Sequence, residues 1–402
     1  MSTPDRLHSL DAVRALALML GIVLHAAMSF LPDARQIGWP FPDQSSSRTL
    51  DVTMFVIHIF RMTLFFMIAG FFARLTLHRK GWRGFVSDRA KRIGLPLVFG
   101  WCLLLPLLFV VLAWSSTQPG AQGFRIPAET PAQGLPLAHF WFLYLLLLLC
   151  AAALIARGLF VWLLDRNGAL RGLIDTAVRA LVHFPVTPLV IAIPLCVTLN
   201  YTEWWFMKTG IPTPERGFAP NTPAVIGYGV AFGFGWLLQR QMNLLTVLQR
   251  FSGVYLGAAI VLSIVAWLLA EPLPRFAVTA TSQVFRAAYA ACYTVASWCW
   301  TLGLVGAANR FCSRERDVVR YIADASYWMY LVHLPLIFAL QVWMMNWPLH
   351  WSVKFPLLLA IAFAALLASY RFLVRYTFVG AVLNGRRQSA PAPSSMATYG
   401  KR

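Results

Sequence analysis

Four histidines lie within or at the edge of long apolar stretches: His25, His58, His139 and His333. A neutral imidazole titrates near working pH, so each is a candidate general base. Ionisable groups in apolar helices are costly, and those retained usually face a bundle interior or a cavity. Helix rise, about 1.5 Å per residue, places them in depth. If the first helix runs outward and the second inward, His25 and His58 lie roughly 9 and 10 Å below the same boundary. A later helix starting near residue 321 brings His333 into the same half, and His139 stands at the outer start of the fourth. Any one of them is equally well read as a hydrogen-bonded core residue. Imidazoles from three helices at one level favour a site.

Arginines complete the pattern. Arg14 precedes His25 by eleven residues, which returns to nearly the same helix face about 16 Å further along. That gap matches the length of a pantetheine arm, so a coenzyme A thioester would lie with its phosphates near Arg14 and its acyl end near His25. Asp11, three residues before Arg14, is its expected ion-pair partner or an N-cap. Arg61 shares a face with His58. Its guanidinium keeps its charge and needs either a substrate carboxylate or several carbonyls. Tyr327, Tyr330 and His333 recur every three residues as a polar stripe, and Pro335 is placed to kink that helix. The stretch from His78 to Arg83, continuing to Arg89 and Arg92, is the densest charge in the chain. Membrane topology and lipid headgroups account for it; so does binding the phosphates of a nucleotide-bearing donor.

These residues must be positioned by membrane helices. The chain has 402 residues, 59% hydrophobic and only 12% charged, against about 25% charged in soluble domains. Apolar runs long enough to cross a bilayer recur, and they are too continuous for barrel strands, so the expected class is an all-α polytopic transmembrane bundle. Ten spans are expected, near 12–31, 51–73, 93–114, 139–160, 181–200, 221–239, 252–270, 283–308, 321–345 and 353–376. The first is read as a retained helix and not a cleaved signal peptide, because it carries Arg14 and His25. The net charge of +19 points to topology and not to nucleic acid, since the basic residues cluster in alternate loops; this predicts both termini inside. The transmembrane part is read as 1–385, and 386–402 as a disordered basic tail. Six cysteines lack metal-ligand spacing and read as buried thiols, with no metal expected. Loops near 32–50, 115–138 and 201–220 are long enough for a lid or a sugar-binding rim. Trp39, Trp204 and Trp205 suit sugar stacking or an interfacial belt.

On these residues the chain resembles the acyltransferase 3 family of membrane O-acyltransferases. The family's first-helix signature, an arginine, ten residues and a histidine, reads Arg14 to His25. Its second-helix segment matches His58 through Gly70, its R-x-x-R motif matches Arg89 and Arg92, and His139 to Tyr144 matches its His-x-Trp-Phe-Leu-Tyr motif. Ser326 to Pro335 matches its late Ser-Tyr-x-x-Tyr-Leu-x-His-x-Pro motif. Thr63 and Ala69 depart from the common proline and serine. The segments around His25 and His58 are most similar to members that succinylate osmoregulated periplasmic glucans. The resemblance implies a bacterial inner-membrane O-acyltransferase using acyl-CoA, succinyl-CoA in particular, as donor substrate and a periplasmic glucan as acceptor, alongside other glucan-synthesis membrane proteins. His25, His58 and His333 become the catalytic candidates. Arg14, Arg61, Arg89 and Arg92 become donor-binding candidates, and His139, Trp141, Tyr330 and Arg286 would line the acceptor cavity. Rival readings are an O-acetyltransferase for another surface glycan, a transporter of a glycan or organic anion, and a non-catalytic scaffold.

Overall fold

Continuous apolar runs with few interior breakers leave the backbone one inexpensive solution, which is to pair its own polar groups helically. The computed structural model describes residues 7–36, 39–119, 137–214, 218–275 and 282–384, and among them the regular elements are helical. They are α1 (His8–Ala27), α2 (Arg48–Arg89), α3 (Leu95–Ser116), α4 (Trp141–Leu163), α5 (Ala169–Val182) and α6 (Thr187–Asn200), then α7 (Thr222–Leu238), α8 (Leu244–Ala270), α9 (Gln283–Phe311), α10 (Asp317–Met344), α11 (Trp351–Ser369) and α12 (Phe378–Asn384). Side chains of Ser47, Asn221 and Ser282 accept backbone N–H groups at the starts of α2, α7 and α9, satisfying donors that a helix start leaves free.

Among the described residues, seven helices are long and apolar enough to cross a membrane, or up to eight if a bent pair counts as one span. Ten spans were expected, more than this, and the described helices differ from the expected ones in three places. The stretch expected at 181–200 is not one helix: α5 and α6 meet at 108°, across a break at residues 183–186. The 17-residue α7 is at the short limit of a crossing. The third difference concerns the basic stretch after residue 73, expected as a loop. It is helical, and helix runs from Arg48 to Ser116 through a π-turn at Ala90–Gly94. It is not straight. Gly81 adopts φ 66° and ψ 179°, a region that glycine enters without a Cβ penalty. Arg89 Nη2 donates to Thr76 Oγ1 at 3.3 Å, although thirteen residues of straight helix would span about 20 Å. The chain therefore folds back at Gly81, which separates α3 from the first part of α2.

α1 packs against α2, α9, α10 and α11, so its polar face is turned into the bundle. One end of the bundle carries the start of α1 and of α10 and the Gly81 fold-back, and is strongly basic. The opposite end is closed by buried ion pairs. Lys354 Nζ lies 2.8 Å from Asp43, and both side chains are nearly inaccessible. Arg275 pairs with Asp33 at 2.9 Å and with Asp51. Trp39 donates its indole N–H to Ser29 and packs edge-on against Phe41 and Phe338. Trp205 donates to the Gly210 carbonyl at 3.0 Å. The polar segments around 39–47 and 201–214 are thus seated on the bundle. Most of the segment expected at 115–138, and the tail from 386, lie outside the described residues.

Candidate functional site

At the basic end, a cavity of about 550 Å³ opens between α1, α2, α4 and α10, with Arg14, Arg89 and Arg92 in its wall. Helix register explains how three arginines from distant positions converge. Arg14 faces inward on α1, paired with Asp11 at 3.1 Å, as the three-residue spacing predicted. The Gly81 fold-back brings Arg89 and Arg92 alongside. Arg89 lies 2.6 Å from Asp88, and Arg92 donates through Nε and Nη2 to the Leu383 carbonyl. Tyr327 donates to the Arg92 carbonyl at 2.6 Å, which ties α10 to the same wall. Each arginine keeps donors beyond those it uses, because a guanidinium carries five.

The cavity ends at Leu18, Phe65 and Phe142. Phe65 and Phe142 meet edge-on at 4.4 Å between centroids, and Phe142 meets Tyr330 at 5.4 Å. These rings form a layer across the bundle. His25 lies seven residues beyond Leu18, about 10 Å along α1, so the described cavity does not itself reach it.

Beyond that layer the histidines gather. The ring of His333 lies 5.2 Å from that of His25 and 5.4 Å from that of His139, centroid to centroid. Tyr330 is 5.7 Å from His139 and 5.9 Å from His333. His139 Nε2 is 3.0 Å from the Leu331 carbonyl, and His333 Nδ1 is 2.6 Å from the Tyr330 carbonyl. A carbonyl only accepts, so each of these nitrogens carries the proton. The remaining atoms, His139 Nδ1 and His333 Nε2, are buried without a hydrogen-bond partner. The Tyr330 hydroxyl donates to the His139 carbonyl at 2.5 Å. Gln341 Nε2 donates to the carbonyls of His25 and Ala26 at 2.8 and 3.1 Å, holding the end of α1.

Arg61 lies beside this group. Its guanidinium sits over Gly21, where a methyl group would overlap Nη1; an absent side chain on α1 is what admits it. Among the described residues no carboxylate pairs with Arg61, and its buried Nε lacks a partner. Tyr228 and Tyr330 are its polar neighbours. Trp141 stacks on Tyr228 at 5.9 Å, supporting that wall. A buried cation without a counter-charge is costly unless something anionic visits it.

Two expected site residues stand apart. His58 is within electrostatic range of His25, but its ring contacts the Met54 carbonyl at 3.1 Å, beneath the turn at Gly210. Arg286 donates to the carbonyls of Leu199 and Thr202 at the end of α6, where it complements a helix C-terminus and does not join the histidines. Sequence reasoning missed Tyr228, Gln341 and the Gly21–Arg61 contact. A glycine one turn before His25 was the available signal for the last. Among the described residues no group of His, Cys, Asp or Glu is placed to hold a metal ion.

An arginine-walled cavity below and a layer of imidazoles above, joined by α1 and α10, suit the transfer of a group between an anionic carrier and a neutral acceptor. Comparison with known proteins agrees. A family model described as an acyltransferase domain, that of acyltransferase 3, matches residues 7–371. The chain belongs to the acyltransferase 3 family and is a membrane acyltransferase. It is similar to the glucans biosynthesis protein C of Salmonella heidelberg and to that of Salmonella typhi, each 24% identical over 339 residues covering 82% of both chains. The protein of the same name from Salmonella paratyphi B is 27% identical over 166 residues, 40% of this chain and 41% of the relative. No solved structure matches.

Proposed function

We propose that the protein transfers an acyl group, succinyl in particular, from cytoplasmic acyl-CoA to a hydroxyl of a periplasmic glucan. One observation carries this reading: Arg14 and His25 share the inward face of α1, with the arginine in the wall of a basic cavity and the histidine in the imidazole layer. The names of the similar proteins support a glucan acceptor. Charge asymmetry along the chain supports a cytoplasmic basic end, and the bacterial relatives support a bacterial inner membrane.

In this scheme Arg14, Arg89 and Arg92 bind the donor's phosphates through charge-assisted hydrogen bonds. The pantetheine arm runs along α1, and the Phe65–Phe142 layer yields to admit it. The acceptor hydroxyl arrives from the opposite end. Its oxygen attacks the thioester carbonyl carbon while its proton passes to the His25 imidazole. The C–S bond breaks, the imidazolium returns the proton to the departing sulfur, and the products are an ester and a free thiol. Arg61 holds the distal carboxylate of a succinyl group, which supplies the counter-charge it otherwise lacks. His58 supports His25 from α2, and Arg286 has no part.

The test is thiol release. Purified protein given succinyl-CoA should liberate coenzyme A when the glucan is added, and the glucan's mass should rise by one succinyl per transfer. A glycan acetylated in preference overturns the donor assignment. Movement of glycan or organic anion across vesicles without thiol release overturns the mechanism.

A further inference from the structure

The two lone pairs left open in the imidazole layer have a cause in α10. In an α-helix the carbonyl of residue 331 accepts the N–H of residue 335. Residue 335 is proline, which has no N–H, and it lies within α10. The Leu331 carbonyl is therefore released from the helical ladder, and the His139 Nε2–H takes its place at 3.0 Å. That bond selects one tautomer, because the hydrogen bond made by one ring nitrogen decides what the other can do. His139 Nδ1 is left as a lone pair, as His333 Nε2 is left by the bond from Nδ1 to the Tyr330 carbonyl. Both side chains are at least nine-tenths buried, at 9% and 1% exposure, and both open atoms lack a partner.

The backbone bearing His139 is also under load. Ala138 has φ 45°, a left-handed conformation that a residue with a Cβ adopts only at a cost. The Tyr330 hydroxyl grips the His139 carbonyl at 2.5 Å. α10 thus holds His139 at its main chain and at its ring, from adjacent residues. Strain persists where the surroundings over-determine it.

We propose that Pro335 is a positioning residue for the acceptor: by freeing the Leu331 carbonyl it locks His139 in the Nε2–H tautomer, so that His139 Nδ1 and His333 Nε2 present two hydrogen-bond acceptors to hydroxyl groups of the incoming sugar. The inference rests on the acyl-transfer reading of the layer and specifies the chemistry of the second substrate. Open imidazole lone pairs and the donors of Arg61, gathered in one layer, sort the groups a ligand can offer. A hydroxyl, which brings a proton, fits the imidazoles; a carboxylate or carbonyl fits the arginine. The reacting hydroxyl gives its proton to His25, and neighbouring hydroxyls of the same sugar donate to the two lone pairs and so orient it.

Pro335→Ala tests this, because alanine restores the N–H that competes for Leu331. In histidine-selective 15N spectra, with His139 assigned by the signal lost in His139→Gln, the wild type should show protonated Nε2 and unprotonated Nδ1. Pro335→Ala should convert that signal to a mixture. Turnover with glucan should fall about tenfold or more, with the KM for the acyl-CoA donor within about twofold of wild type. A wild-type His139 protonated at Nδ1 overturns the proposal whatever the variant's folding. So does a Pro335→Ala protein that keeps full turnover. If the wild type releases no thiol on glucan addition, the acyl-transfer reading fails instead, and the spectra still decide the tautomer.

Discussion

The basic cavity and the imidazole layer are only a few helical turns apart, yet they are held by different means. In the cavity each charge is met by another side chain or a helix end: Arg14 by Asp11, Arg89 by Asp88, Arg92 by the Leu383 carbonyl. The Arg14 and Arg92 contacts are partly open to solvent and can be exchanged for a ligand's phosphates at little cost, while the Arg89–Asp88 pair is more enclosed. In the imidazole layer the partners are main-chain carbonyls of α10, the groups are buried, and atoms are left unmatched. Unmatched buried polar atoms are expensive to leave unmade. A region of exchangeable partners suits holding a carrier that comes and goes. A region of fixed partners with vacant atoms suits presenting reacting groups in one geometry.

That contrast is open to attack. His25→Ala should lower turnover about 10²–10⁴-fold with the donor KM little changed, since it removes a base and not a binding contact; a variant with full transfer and normal expression removes His25 from the chemistry. Arg61→Gln should abolish any preference for a dicarboxylic donor, measured as the ratio of kcat/KM for succinyl-CoA to acetyl-CoA, by about 10–100-fold. Arg89→Ala and Arg92→Ala should each raise the donor KM about tenfold and leave kcat nearly unaltered, in the reverse pattern to His25. Gly21→Ala should have the smallest effect, a few-fold loss of turnover as the new methyl displaces Arg61; full activity would show that the guanidinium yields freely.

Much of this was legible in the sequence because helical periodicity is strict. The eleven-residue separation of Arg14 and His25 and the three-residue stripe through Tyr327, Tyr330 and His333 translate directly into facing side chains. The depth argument paired His25 and His333 with His58. In the structure His139 takes the closer place, because a short 3₁₀ turn with Ala138 at positive φ carries its ring inward, and period alone does not foresee that. Arg286 was expected to line the acceptor cavity; its position at the start of α9, beside the end of α6, makes it a helix-end partner. The basic stretch after residue 73 carried the composition of a loop, and helix persists there because only Gly81 interrupts it. The α5–α6 bend was hidden because an apolar count does not register direction.

The Gly81 fold-back sets a rule of spacing. Arg89 reaches Thr76 only because eight residues separate it from the glycine. Adding or deleting one residue in that interval would rotate Arg89 and Arg92 by about 100° around their helix, swinging both away from the donor's phosphates while every amino acid of the motif remained in place. This segment should therefore accept many exchanges of side chain and few changes of length.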